Sequence, residues 1–84
     1  MIPVVFYYIT SDGLMVRRYH QMPAVPTEGM RLSIDERNEH YVVSAVLWTF
    51  KDPSNLVVNV AEPGGMLSGR LTREEMLQLG WSAA

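Results

Sequence analysis

The sequence predicts a mainly β domain of small α+β type. Five antiparallel strands form a strongly curled sheet, and one short C-terminal helix docks over an open end. Three observations predict this. Runs of β-branched and aromatic residues recur along the chain with turn-forming residues between them. One of these runs, His40 to Phe50, is long enough to coil and carry a small sheet toward a barrel. Near the end, Thr72-Arg73-Glu74-Glu75 has the spacing of a capping box and marks the one clear helix start.

Each element has its own signal. Pro3 to Thr10 is apolar on both faces, which suits a strand covered on both sides. Asp12-Gly13 follows and offers the positive φ angles of a tight hairpin turn. Leu14 to Gln21 is the return strand, with Leu14, Val16 and Arg18 on one face and Met15, Arg17 and Tyr19 on the other. Two prolines make Met22 to Gly29 an extended, unpaired crossing segment. Met30 to Asp35 alternates, placing Met30, Leu32 and Ile34 inward and Arg31, Ser33 and Asp35 in water. Glu36-Arg37-Asn38-Glu39 reads as a polar turn before the long central strand, which is expected to bend at Ser44-Ala45. Asp52-Pro53-Ser54-Asn55 has the signature of a type I turn, and Leu56 to Glu62 is the last long strand. Gly64 to Arg70 is a glycine-rich connection to the helix. In the helix, Leu71 and Met76 are placed for a hydrophobic staple, Gly80 for the left-handed C-terminal position, and Trp81 to fold back on Met76. A helix this short docks through Met76, Leu77 and Leu79 or does not form.

Composition then bounds the function. The chain has 84 residues, 48% of them hydrophobic and 19% charged, with a formal net charge of -2. That supports one folded domain over residues 1–84. The sequence has no cysteine, so thiolate zinc sites, iron–sulfur clusters and cysteine nucleophiles are excluded. No apolar run reaches the roughly 20 residues of a membrane span, and the N-terminus lacks the basic region and cleavage site of a signal peptide. The expectation is a cytoplasmic protein without a cofactor.

Catalytic and metal chemistry find no foothold. His20 and His40 are the only histidines, and Glu36, Glu39 and His40 fall in a solvated turn, so no metal site is expected. No serine stands in a glycine-flanked nucleophile elbow. Asp35, Glu36 and Glu39 lack an apolar wall to raise a pKa. The glycine-rich loop lacks the lysine and spacing of a phosphate loop, and acids occupy the helix start beyond it. The chain is read as a non-enzyme with no catalytic, cofactor-binding or metal residues.

Binding fits better. Six methionines, two tryptophans and four tyrosines are many for this length, and these side chains with arginine dominate protein interfaces. The candidate partner-binding residues are Tyr7, Tyr8, Arg17, Arg18, Tyr19 and Trp48, for a protein partner or a second copy in a homodimer. The same aromatic and basic cluster could stack and clamp a single-stranded nucleic acid. The pI of about 5.5 and the single adjacent arginine pair rank that reading lower.

Pro26-Thr27-Glu28-Gly29-Met30, His40-Tyr41-Val42-Val43-Ser44-Ala45-Val46-Leu47-Trp48 and Leu56-Val57-Val58-Asn59-Val60 together resemble a pattern of small phage and prophage proteins. The resemblance covers about half the chain and transfers no functional residue. It implies an SH3-like partial barrel and an accessory or inhibitor protein that binds a larger protein, in the host cytoplasm if phage-encoded.

Overall fold

β1 (Ile2–Ile9) and β2 (Met15–Met22) form the expected hairpin, paired from Ile2 with Met22 to Ile9 with Met15. The computed structural model describes residues 1–36, 40–50, 55–63 and 69–84. The hairpin turn has three residues, and only Gly13 takes a positive φ, at 77°. The Gly13 N–H donates to the Thr10 carbonyl at 3.0 Å and the Thr10 N–H to the Leu14 carbonyl at 2.8 Å. This is a type I turn closed by a left-handed glycine, where the sequence suggested two positive φ angles. The Thr10 hydroxyl donates to the Asp12 carboxylate and holds that carboxyl below its ordinary pKa. Asp12 Oδ1 also accepts from the Arg73 N–H at 3.2 Å, tying the hairpin tip to the helix start.

The remaining strands are β3 (Arg31–Leu32), β4 (Tyr41–Thr49), β5 (Asn55–Ala61) and β6 (Ser82–Ala83). They assemble into one sheet in the order β3-β4-β5-β1-β2-β6. The predicted five-stranded, strongly curled antiparallel sheet is corrected in three respects. There are six strands, the sheet is open and not strongly curled, and β1 runs parallel to β5, with Val4 opposite Leu56 and Tyr7 opposite Asn59. The parallel pair has a physical basis in the sequence. A strand apolar on both faces belongs in the middle of a sheet, and β1 lies between β2 and β5. The long strand β4 is not central: β3 pairs with it only at Val42 and Tyr41. Its expected bend is real, because the register with β5 shifts between Val43 and Ala45 as at a β-bulge.

Residues 23–30 deliver the chain to β3. Pro26 is fully buried, and Gly29 (φ 84°) stands third in a Thr27–Met30 turn whose Met30 N–H donates to the Thr27 carbonyl at 3.1 Å. With Glu28 at negative φ, this is a type II turn, and it needs glycine at that position. The predicted Met30–Asp35 strand shrinks to two residues. Leu32 and Ile34 do pack against the core, whereas Met30 is exposed. Asp35, expected in water, is drawn inward by the core aromatics. Of the polar turn expected at 36–39, the type I turn at 52–55 and the glycine-rich connection at 64–70, residues 37–39, 52–54 and 64–68 lie outside the described residues.

The core lies on one face of the sheet. Val4, Phe6 and Tyr8 of β1, Val16 of β2, Leu56, Val58 and Val60 of β5, and Tyr41 and Val43 of β4 are buried there with Met76 and Trp81. The rings of Tyr8, Tyr41 and Trp81 form a triangle with centroids 5.4 to 5.9 Å apart, edge-to-face or tilted. Buried aromatic polar atoms need acceptors, and two carboxylates supply them. Tyr8 Oη donates to Glu62 Oε1 at 2.5 Å, and the Tyr41 hydroxyl and Trp81 Nε1 both donate to Asp35 Oδ2, the latter at 3.0 Å.

The helix α1 (Arg73–Gln78) is built as its capping signals predict. Thr72 Oγ1 accepts from the Glu75 N–H at 3.3 Å, and Glu75 Oε1 accepts from the Thr72 N–H at 3.1 Å. At the other end Gly80 has φ 98°, its N–H donates to the Leu77 carbonyl, and the Trp81 N–H donates to the Met76 carbonyl. That is a Schellman closure, and it turns Trp81 back beside Met76 in the core. Leu77, expected to dock, is exposed; Met76 and Leu79 carry the contact. No basic residue lies in the last helical turn. Arg18 of β2 supplies the missing cation, its Nη1 donating to the Leu79 carbonyl at 2.9 Å.

Candidate functional site: the second sheet face

Alternation along each strand turns a second set of side chains away from the core. Val5 lies between Tyr19 and Val57, and Leu47 lies beyond Val57, so a row of four apolar side chains crosses β2, β1, β5 and β4. Val5 is buried yet stands outside the core cluster. In the next row Arg17 faces Tyr7, and Tyr7 faces Asn59. The Arg17 guanidinium lies 5.7 Å from the centre of the Tyr19 ring, within cation–π range, and its Nε is enclosed without a hydrogen-bond acceptor. Ile9 and Met15 pair on the same face and are both exposed. Tyr19 and Leu47 are 60% and 61% exposed. Among the described residues no strand residue is acidic, whereas Arg17 and Arg31 both belong to this face. The helix covers the opposite face, where Met76 packs. Among the described residues, then, this face exposes Tyr19, Leu47, Ile9 and Met15, half-buries Tyr7, Arg17 and Val57, and buries Val5, on a chain whose net charge is negative.

The structure divides the six sequence candidates. Tyr7, Arg17 and Tyr19 come together on the second face. Tyr8 is 1% exposed, in the aromatic triangle, and Arg18 is engaged with the helix end; both serve the fold. Trp48 shares the core-side parity with Leu56 but sits near the end of β4, 46% exposed. Sequence reasoning missed Val5, Val57 and Leu47, because only the parallel register brings β1 and β5 together and aligns that row.

A separate cleft of about 130 Å³ opens beside Phe6, His20, Met22, Leu32 and Ile34. His20 packs its ring tilted on Phe6 with centroids 5.6 Å apart, and its Nε2 is enclosed without a hydrogen-bond partner. Burial first, and then the Arg18 charge, lower its pKa from the ordinary 6.5. Among the described residues no carboxylate lines this cleft. His40 is exposed at the start of β4. Among the described residues no group of three or more His, Asp or Glu side chains could hold a metal ion, and no helix is long and apolar enough to cross a membrane.

The His20 environment has a direct consequence. The unfolded chain binds a proton near pH 6.5, whereas the folded state resists it to lower pH. Below 6.5 the unfolded state therefore holds more protons, and stability falls with pH until the lowered folded value is passed. Urea midpoints measured between about pH 7.5 and 5 are expected to drop less in His20→Gln than in the parent chain. Equal drops would show that His20 carries none of the dependence.

Neither any known protein family, nor any curated protein, nor any solved structure matches this chain.

Proposed function

We propose that this chain is a non-enzymatic protein-interaction module that binds a larger protein through its second sheet face, in the manner of the phage-type accessory and inhibitor proteins its sequence resembles. The observation that carries this reading is the convergence of exposed Tyr19 and Leu47 with half-buried Tyr7, Arg17 and Val57 on a face that, among the described residues, no helix covers. Large apolar surfaces left open on small proteins mark contact sites, and tyrosine and arginine supply most of the energy at such sites. The partner offers an apolar patch and a carboxylate or carbonyl oxygen. That acceptor meets the Arg17 guanidinium, and the absence of strand acids keeps it free of like-charge repulsion.

Affinity capture from lysate tests this when the parent chain is compared with Tyr19→Glu, a change at an exposed position that preserves the core. The expected result is a discrete partner retained by the parent and lost by the variant, with weaker retention at high salt. Recovery of the same proteins by both chains would remove the second face from the account.

Single-stranded nucleic acid is the second reading, favoured by one observation: Arg17 over Tyr19 beside Tyr7 forms a stacking surface with a cation and no strand acid. Among the described residues this face carries two arginines, which is few for counterion release. A salt-sensitive oligonucleotide shift that Arg17→Ala abolishes would promote it over the protein reading. Arg18 is left unchanged in that test because it holds the helix end.

A further inference from the structure

Among the described residues, the outer edge of β4 leaves a stretch of backbone unpaired that carries the large exposed side chains Leu47 and Trp48. Among the described residues, the chain covers that edge only at Tyr41 and Val42, through β3, and at Val43. The Val43 N–H donates to the Met30 carbonyl at 2.9 Å, and its carbonyl accepts from the Gly29 N–H at 2.8 Å. From Ser44 to Trp48 no described residue takes over. Side-chain face and backbone direction alternate together along a strand, and the bulge after Val43 inserts one extra residue. Val46 and Trp48 share the face of Val43, so they also share its backbone direction and turn their N–H and C=O groups outward.

We infer that this edge pairs with the same edge of a second copy, antiparallel and about a two-fold axis at Leu47, to make a homodimer with one continuous sheet. An unpaired edge selects an extended strand as its occupant, because only a strand presents donors and acceptors at the matching repeat. The sequence of the edge selects a copy of itself. Its N-terminal half is small, Ser44-Ala45-Val46, whereas its C-terminal half carries two large rings, Trp48 and Phe50, on either side of Thr49. Reversal about Leu47 sets Trp48 opposite Val46 of the second copy, Thr49 opposite Ala45 and Phe50 opposite Ser44, so each ring meets a smaller side chain. Both Val46–Trp48 pairs then exchange two backbone hydrogen bonds each. Leu47 meets its own copy at the axis, where the strands approach most closely. No residue from Ser44 to Phe50 is ionisable, so the symmetric pairing brings no like charges together. Phe50, 86% exposed in the single chain, gains a neighbour at each end of the new pair.

The inference concerns an edge three strands away from Tyr19; it shares Leu47 with the row proposed for the second face, and Tyr19→Glu separates the two. Sedimentation equilibrium of the full chain over the micromolar range tests it. The expected result is a species of twice 9.5 kDa that dissociates on dilution. Leu47→Glu and Leu47→Lys, each placing like charges across the axis, are expected to be folded monomers by circular dichroism. An equimolar mixture of the two is expected to recover the doubled mass as a mixed dimer. Tyr19→Glu is expected to dimerise like the parent. A parent chain that stays monomeric throughout the range would overturn the inference. So would dimers that persist in both single variants, or a mixture of folded variants that fails to associate.

Discussion

Trp81→Ala is expected to lower the stability of this domain by about 3–5 kcal/mol, the cost of emptying a buried tryptophan site. The loss has three parts. The Schellman turn at Gly80 aims Trp81 into the core, where its ring completes the triangle with Tyr8 and Tyr41. With the Tyr41 hydroxyl, its Nε1 donates to Asp35 Oδ2 and holds that carboxylate against the core. It also connects α1 to β6, the two-residue strand that caps part of β2 at Val16 and Arg17. A small domain has only about 5–10 kcal/mol in total, so the variant is expected to be partly unfolded at 37 °C. Trp81→Phe keeps the ring and loses the indole donor, and it should fall between the two. Urea denaturation of the three chains measures this; a Trp81→Ala midpoint close to the parent's would place the tryptophan outside the cooperative core.

Gly69→Ala is expected to be nearly as damaging, at about 3 kcal/mol, for the opposite reason. Gly69 is buried, and its N–H donates to the Ile9 carbonyl at 2.7 Å, so its backbone is fixed against the end of β1. A Cβ there would fall on the ring and hydroxyl of Tyr8. Tyr8 has little freedom to yield, since it is packed against Tyr41 and Trp81 and bonded to Glu62. The clash belongs to a pair of residues, which makes it separable from a general loss of packing. Tyr8→Ala is costly alone, but Gly69→Ala added to it should cost much less than in the parent. Additive losses in that double-mutant cycle would show that the glycine is needed for some other reason.

Much of the local structure was legible before any coordinates. Thr72 and Glu75, Gly80 with Trp81, and the Asp12-Gly13 turn each act through neighbours within a few residues, so the sequence contains the whole interaction. The bend at Ser44-Ala45 was legible because two small side chains interrupted an otherwise bulky strand. Long-range pairing was less accessible. β1 and β5 run parallel, and nothing near either strand encodes that; only the two-sided apolar character of Val4 to Tyr8 hinted at a central position. Asp35 departs from its alternation for a related reason. Its alternation pointed to water, but Tyr41 and Trp81 bring buried donors that need an acceptor, and the residues that decide its position lie 6 and 46 positions away.

The candidate site was partly legible on the same terms. Alternation in the hairpin was enough to group Arg17 with Tyr19, and the hairpin register adds Tyr7. It could not separate Tyr8 and Arg18 from them in role, because a buried tyrosine and a capping arginine are identified by what they meet: Glu62 and the Leu79 carbonyl. The row through Val5, Val57 and Leu47 needed the complete sheet.

Site-specific photo-crosslinking in cells tests the central claim most directly. A photoreactive phenylalanine analogue would be placed at Tyr19 on the second face and, separately, at Leu77, exposed on the helix. The account predicts a discrete heavier species from the Tyr19 position that contains another protein, and none from the Leu77 position. No adduct at Tyr19, or the same adducts from both positions, would contradict it.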